Sequence, residues 1–129
     1  MKVGYVDSSM ILGLIFEEPG YQRERDRIES FARVFSSNLL EAELRSAVRR
    51  EGVSDQQLVG ILARFDWVHP DRPLTHEFLE VLAAGLLRGA DLWHLACALY
   101  LRGAYDQVEL LSLDRRQIDV ADRLGLISG

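Results

Sequence analysis

The residues in this chain whose type and placement could do chemistry are acids: Asp7, Glu43, Asp91 and Asp114. Asp7 directly follows the apolar run Val3-Gly4-Tyr5-Val6, and Asp114 follows Val108-Glu109-Leu110-Leu111-Ser112-Leu113. Each therefore stands at the tip of an expected strand, free either to bind a metal ion or to cap the helix that comes next. Asp91 opens the stretch ADLWHLACALYL, which is apolar nearly all round. A helix of that kind is buried, and a carboxylate at its start has to be paired, used as a cap or bound to a cation. Glu43 lies on the helix expected after the second strand. Its neighbour Glu41 has Arg45 four residues on, a favourable helical ion pair, whereas Glu43 has Ser46 and Ala47 at the equivalent spacings. Helical angle alone does not choose between the two glutamates; the missing cation favours Glu43. Bringing several carboxylates together is costly through like-charge repulsion. Divalent cations offset that cost, and an all-oxygen set suits Mg2+ or Mn2+ rather than zinc. No Cys/His zinc spacing is present.

Other polar residues have ready structural explanations. His94 stands three residues after Asp91, a permitted ligand spacing, but a lone histidine on an apolar helix is expected to be a hydrogen-bonded core residue and is not assigned to the metal. Asp119 has Arg115 and Arg123 one helical turn to either side, as on a solvated ion-paired face. Asp122 has no such pair and stays open as an accessory acid.

The elements that must position these acids follow from periodicity and breakers. Lys2 to Val6 reads as a short buried strand, Asp7-Ser8-Ser9 as the cap of a helix over Met10 to Phe16, and Pro19-Gly20 as its break. Tyr21 to Ala32 is expected as a charged helix and Val34-Phe35-Ser36 as a second strand. Asn38 to Glu51 follows as a helix with Leu40, Leu44, Ala47 and Val48 on one face, ended by Gly52. Ser54 caps the next helix, with Gln57 at the capping-box position. Trp67-Val68-His69 is a third strand closed by Pro70. Thr75 opens a helix to about Leu87, and Asp91 begins another. Gln107 to Leu113 is a strand, and Asp114 leads a helix to Leu124 with Gly125 as its C-cap. Leu126-Ile127 reads as a last short strand. Long connections between short apolar strands imply parallel pairing, so the expected fold is α/β, a three-layer α/β/α sandwich around a short parallel sheet, in a single domain over residues 1–129. Ligands in such sheets bind at the carboxyl ends of the strands, where Asp7 and Asp114 stand.

Bulk properties narrow the classes. A chain of 129 residues, 48% hydrophobic and 27% charged, suits one soluble globular domain. No apolar run approaches the ~20 residues a bilayer span needs. Asp7 interrupts the segment where a secretory leader needs apolar residues, so none is expected. Cys97 is the only cysteine, which excludes an internal disulfide and fits a reducing cytoplasm. The net charge of −5 argues against a protein that coats DNA, but not against a nuclease, because bound metal ions invert the local charge. Of the 15 basic residues only Lys2 is a lysine. Arginine grips phosphate bidentately, although a GC-rich coding bias explains the same usage.

Taken together, the acidic segments resemble those of the PIN domain family, and more narrowly the VapC-type toxins of toxin–antitoxin pairs. YVDSSMIL is similar to the family's first-strand segment, SSNLLEAELRSA to the segment carrying its glutamate, GADLWHLACAL to its third acidic segment, and LLSLDRRQ to the segment with Ser or Thr two residues before the last acid. The four occur in order across nearly the whole chain. The resemblance implies an endoribonuclease with Asp7, Glu43, Asp91 and Asp114 as its catalytic acids, holding one or two Mg2+ ions that activate water for in-line attack on an RNA phosphodiester. It implies Ser8 or Ser112 as hydrogen-bonding support for ligand or water. It offers Arg45, Arg49, Arg50, Arg72, Arg88 and Arg116 as contacts to the RNA backbone, each also explicable as a solvated surface charge. The implied partners are a homodimer mate and a cognate antitoxin.

Two rival classes fit the sequence less well. Haloacid-dehalogenase-like hydrolases also place Asp at a strand tip but need a second Asp two residues on, where this chain has Ser9; a phosphate-accepting receiver needs an early acidic pair and a late lysine. Neither pattern is present, nor is the phosphate loop GxxxxGK[ST]. A non-catalytic binding module with the same fold remains the alternative, since fold does not guarantee activity; retention of all four acids speaks against it.

Overall fold

A computed structural model describes residues 1–127. Its centre is a parallel sheet of β1 (Lys2–Val6), β2 (Val34–Ser37), β3 (Asp66–Val68) and β4 (Gln107–Leu111), in the order β3-β2-β1-β4. β1 and β4 are buried at every residue after the first, the pattern of strands covered on both faces. Alternation then sorts their side chains. Val3, Tyr5, Phe35, Val108 and Leu110 enter one apolar cluster, with residues of α5 (Thr75–Ala84), α6 (Gly89–Leu101) and α7 (Arg115–Arg123). Val6, Val34 and Leu111 enter the other, with residues of α1 (Ser8–Ile15), α3 (Asn38–Arg50) and α4 (Gln56–Leu62). α2 (Tyr21–Glu29) adds Ile28 to the edge of the second cluster. The result is the expected α/β/α sandwich. Among the described residues no single helix is long and apolar enough to cross a membrane.

The strand order decides where chemistry can happen. The chain moves outward from β1 through β2 to β3, then returns to the other side of β1 as β4. The order therefore reverses between β1 and β4, and a crevice opens beyond the carboxyl ends of strands at such a point. The register pairs Val6 with Leu111, so Asp7 and Ser112 leave the sheet side by side.

A buried charge sits in the middle of β4. Glu109 is 5% exposed and is met by Lys2 at 2.8 Å and by Arg27 of α2 at 2.6 Å. Burial opposes its ionisation, but hydrogen bonds from Lys2 and Arg27 outweigh burial and hold the carboxyl below the usual range. This ties α2 to the sheet.

Several boundaries differ from expectation, each for a local reason. α2 stops at Glu29, short of Ala32, where the chain turns into β2. β3 spans Asp66–Val68, one residue earlier than expected. α5 stops at Ala84 rather than Leu87, because Gly85 leaves the helix in an extended conformation with Val120 of α7 packed against it. A Cβ on Gly85 would come within 2.6 Å of Val120 Cγ2, so glycine permits this close approach. Leu126-Ile127 is not a strand: Leu126 only accepts one bond from the Leu110 N–H at 2.6 Å. Gly125, with φ +75°, closes α7 as expected, as the Leu126 N–H returns to Ala121 O and the Gly125 N–H to Asp122 O.

Candidate active site

Asp7 is 1% exposed and caps α1, accepting from the Met10 N–H at 3.2 Å. Its remaining acceptor capacity is filled by side chains. Ser9 donates to its two oxygens at 2.8 and 3.0 Å, Ser112 to Oδ2 at 2.8 Å, and the Gln117 carboxamide to Oδ2 at 2.9 Å. Burial pushes the Asp7 carboxyl up from its ordinary range, and the bonds from Ser112, Ser9 and Met10 pull it back in part. The capping reading of Asp7 is met.

Asp91 is positioned differently. The cap residue of α6 is Arg88, so Asp91 lies inside the first turn and caps nothing. Acids there gain from the helix dipole. Its Oδ1 accepts from Gln117 Nε2 at 3.0 Å, which makes one carboxamide the bridge between Asp7 and Asp91. Burial raises the Asp91 carboxyl, and so do the neighbouring charges of Asp114, Asp7 and Glu43, against a smaller lowering by His94. The other three acids named from the sequence thus all act on Asp91.

Asp114 caps α7 through Oδ1 to the Gln117 N–H at 3.0 Å, and its own N–H donates to Ser112 Oγ at 3.0 Å. Glu43, half-buried on α3, meets His94 Nε2 at 2.7 Å, and His94 Nδ1 meets the Tyr5 hydroxyl at 2.8 Å. His94 is 1% exposed and engaged at both ring nitrogens, as a core histidine should be. It anchors the carboxylate that had no local cation in sequence. Glu41 pairs with Arg45 at 2.7 Å and Asp119 with Arg115 at 3.4 Å. Arg123 donates instead to Ala84 O. Asp122 has no ion pair among the described residues.

The structure joins Asp7 and Asp91 through Gln117, and sets Asp114 and Glu43 within electrostatic reach of Asp91. Ser112 is bonded to Asp7 as expected of a supporting hydroxyl. Ser8 is not: its side chain makes no hydrogen bond among the described residues, and Ser9 takes that place, since Ser9 Oγ also accepts the Leu113 N–H at 2.9 Å. Among the described residues, no three Asp, Glu, His or Cys side chains converge closely enough to hold a metal ion by themselves. The oxygens of Asp7 and Asp91 nevertheless suit a hard divalent cation. Beside them Gln117 Oε1 is a buried oxygen with no partner.

Of the arginines singled out, Arg45 pairs with Glu41, Arg49 with Asp55, Arg50 with Glu51, and Arg72 with Glu77. Arg88, three residues before Asp91, and Arg116, two after Asp114, are exposed and carry no ion pair among the described residues. A recess of about 880 Å³ opens elsewhere, lined by Ile11, Ile15, Arg25, Ile28, Arg33 and Ile61, and holds none of the four acids.

Fold and site together define a parallel α/β domain with acidic residues at the switch between β1 and β4. The chain belongs to the PIN domain family, whose sequence pattern it matches over residues 4–123, a span that includes all four acids and Gln117. PIN domains are generally nucleases. No match was found among curated proteins or among solved structures.

Proposed function

We propose that this protein is a Mg2+-dependent endoribonuclease in which Asp7 and Asp91 hold the cation (Mn2+ being the alternative ion) and Asp114 and Glu43 complete the acidic centre. The observation that carries this reading is the joining of Asp7 and Asp91 by one carboxamide beyond the carboxyl ends of β1 and β4, with Asp114 capping the helix that carries that carboxamide. A family of nucleases supplies the reaction class. Bound Mg2+ would supply Lewis acidity, activating water and neutralising charge on the leaving oxygen. The chain's own part is positional. Ser9, Ser112 and Gln117 fix Asp7; His94 fixes Glu43; and α6 is held at the strand tips by Trp93, whose Nε1 donates to Ser37 Oγ at 2.9 Å.

Arg88 and Arg116 flank the acids without competing ion pairs, so they are the residues we assign to the RNA backbone. Arg45 and Arg49, already paired on α3, are secondary. Replacing Arg88 and Arg116 with Gln should weaken RNA binding across sequences and lower the slope of log affinity against log salt by about 0.7 per residue for single strands. An unchanged slope in binding titrations would remove both from the interface.

The four family-like segments support a narrower reading: a toxin of a type II toxin–antitoxin pair, homodimeric, cytoplasmic, acting as a single domain and restrained by a cognate antitoxin. The test of the proposed activity is cleavage of single-stranded RNA by the purified protein in Mg2+ and in EDTA. Cleavage only in Mg2+ is expected; RNA binding without cleavage in either would favour the non-catalytic module.

A further inference from the structure

Gln117 lies on the inward face of α7 with Val120 and Ala121 and is 2% exposed. Its Nε2 sits between Asp7 Oδ2 and Asp91 Oδ1, 2.9 and 3.0 Å away. Both neighbours are acceptors, which fixes the nitrogen on that side of the carboxamide. One neutral NH2 group thus stands where two carboxylates of different elements converge. The other half of the carboxamide, Oε1, is buried and has no partner. Leaving a buried carbonyl oxygen unsatisfied costs about 1–3 kcal/mol. The acids alone also fall short of a three-ligand set among the described residues.

We infer that Gln117 is a metal ligand: its Nε2 bridges Asp7 and Asp91, and when a divalent cation binds there the carboxamide turns to present Oε1 as a third, neutral oxygen beside the two carboxylates. With no cation, an oxygen facing two carboxylates is repelled and the N–H side faces in. With a cation, the preference reverses. Gln117 is then both the group that joins the two acids and a ligand of the cation they hold. The inference rests on the reading that Asp7 and Asp91 hold Mg2+.

Calorimetric titration of Mg2+ into metal-free wild type, Gln117→Glu and Gln117→Met tests it without reference to activity. A ligand role gives one order of affinities: Gln117→Glu tighter than wild type by about tenfold, since it offers an ionised oxygen, and Gln117→Met weaker by about tenfold, since it offers none. If the carboxamide only blocks the site, both variants bind more tightly than wild type. If it is only structural, neither affinity changes. Either result overturns the inference while leaving wild-type binding intact, whereas wild type that binds no Mg2+ overturns the metal reading itself. Circular dichroism and thermal melts confirm folding. Should Gln117→Met fail to fold, Gln117→Asn, an amide too short to reach the pair, replaces it with the same expected weakening.

Discussion

Asp91→Asn should lose RNA cleavage by about 10³-fold or more while remaining folded. Charge stabilisation by a bound cation is worth several kcal/mol at the transition state, and each 1.36 kcal/mol is tenfold in rate. The substitution is mild structurally. Asp91 caps nothing, its side chain is only partly buried, and an Asn oxygen can still accept from Gln117. Stability should move the other way from activity. Burial and the charges of Asp114, Asp7 and Glu43 raise the Asp91 carboxyl in the folded state. A raised acid stabilises the fold fully below its unfolded value, about 3.9, and that contribution is lost as pH rises through the folded value. Metal-free Asp91→Asn should therefore melt with wild type in acid and above it near neutrality, and Mg2+ should close the gap by stabilising wild type alone. Full activity in the variant, or a lower melting temperature at neutral pH, would show that Asp91 serves the fold and not the chemistry.

Asp7→Ala should also abolish cleavage, but with a large loss of stability. Asp7 caps α1 and accepts bonds from Ser9, Ser112 and Gln117 inside the protein. Loss of the cap costs about 1 kcal/mol, and stranding buried donors costs about 1–3 kcal/mol. Relief of a buried charge returns part of this, since burial raises the Asp7 carboxyl. A net loss of about 2 kcal/mol, or about 8 °C in Tm for a chain of this size, is expected in metal-free thermal unfolding. The two acids that share one carboxamide should thus differ sharply: Asp7 builds the site and the fold, Asp91 the site alone. Equal stability of the two variants would contradict that division.

This difference was hidden in the sequence, although most of the frame was not. β-Branched and aromatic runs ending in an acid marked β1 and β4, and with long connections they implied the parallel sheet and the carboxyl-end site. The caps at Asp7 and Asp114 were legible for the same reason, since an acid before a helix has one obvious local use. Asp91 looked like a third cap because Gly89 and Ala90 carry no polar signal, and the helix in fact starts two residues earlier. The anchoring of Glu43 by His94 spans 51 residues and only tertiary packing makes it. The resemblance points to Ser8, directly after the acid; the turn into α1 brings Ser9 to Asp7 instead. Gln117 was the readable residue that was missed. It stands three positions after the cap Asp114, so it resembles half of a capping box, yet it precedes Val120 and Ala121 on the apolar face of its helix. A polar residue on that stripe is the signal that it serves the interior.

The most direct test of the acidic centre is calorimetric titration of Mg2+ into folded, metal-free wild type and Asp91→Asn. The expected result is binding to wild type that is lost or greatly weakened in the variant, placing the cation at the carboxylates joined by Gln117. No binding to wild type at millimolar Mg2+, or equal binding to both proteins, would contradict it and leave these acids as caps and polar contacts of a PIN domain that works by other means.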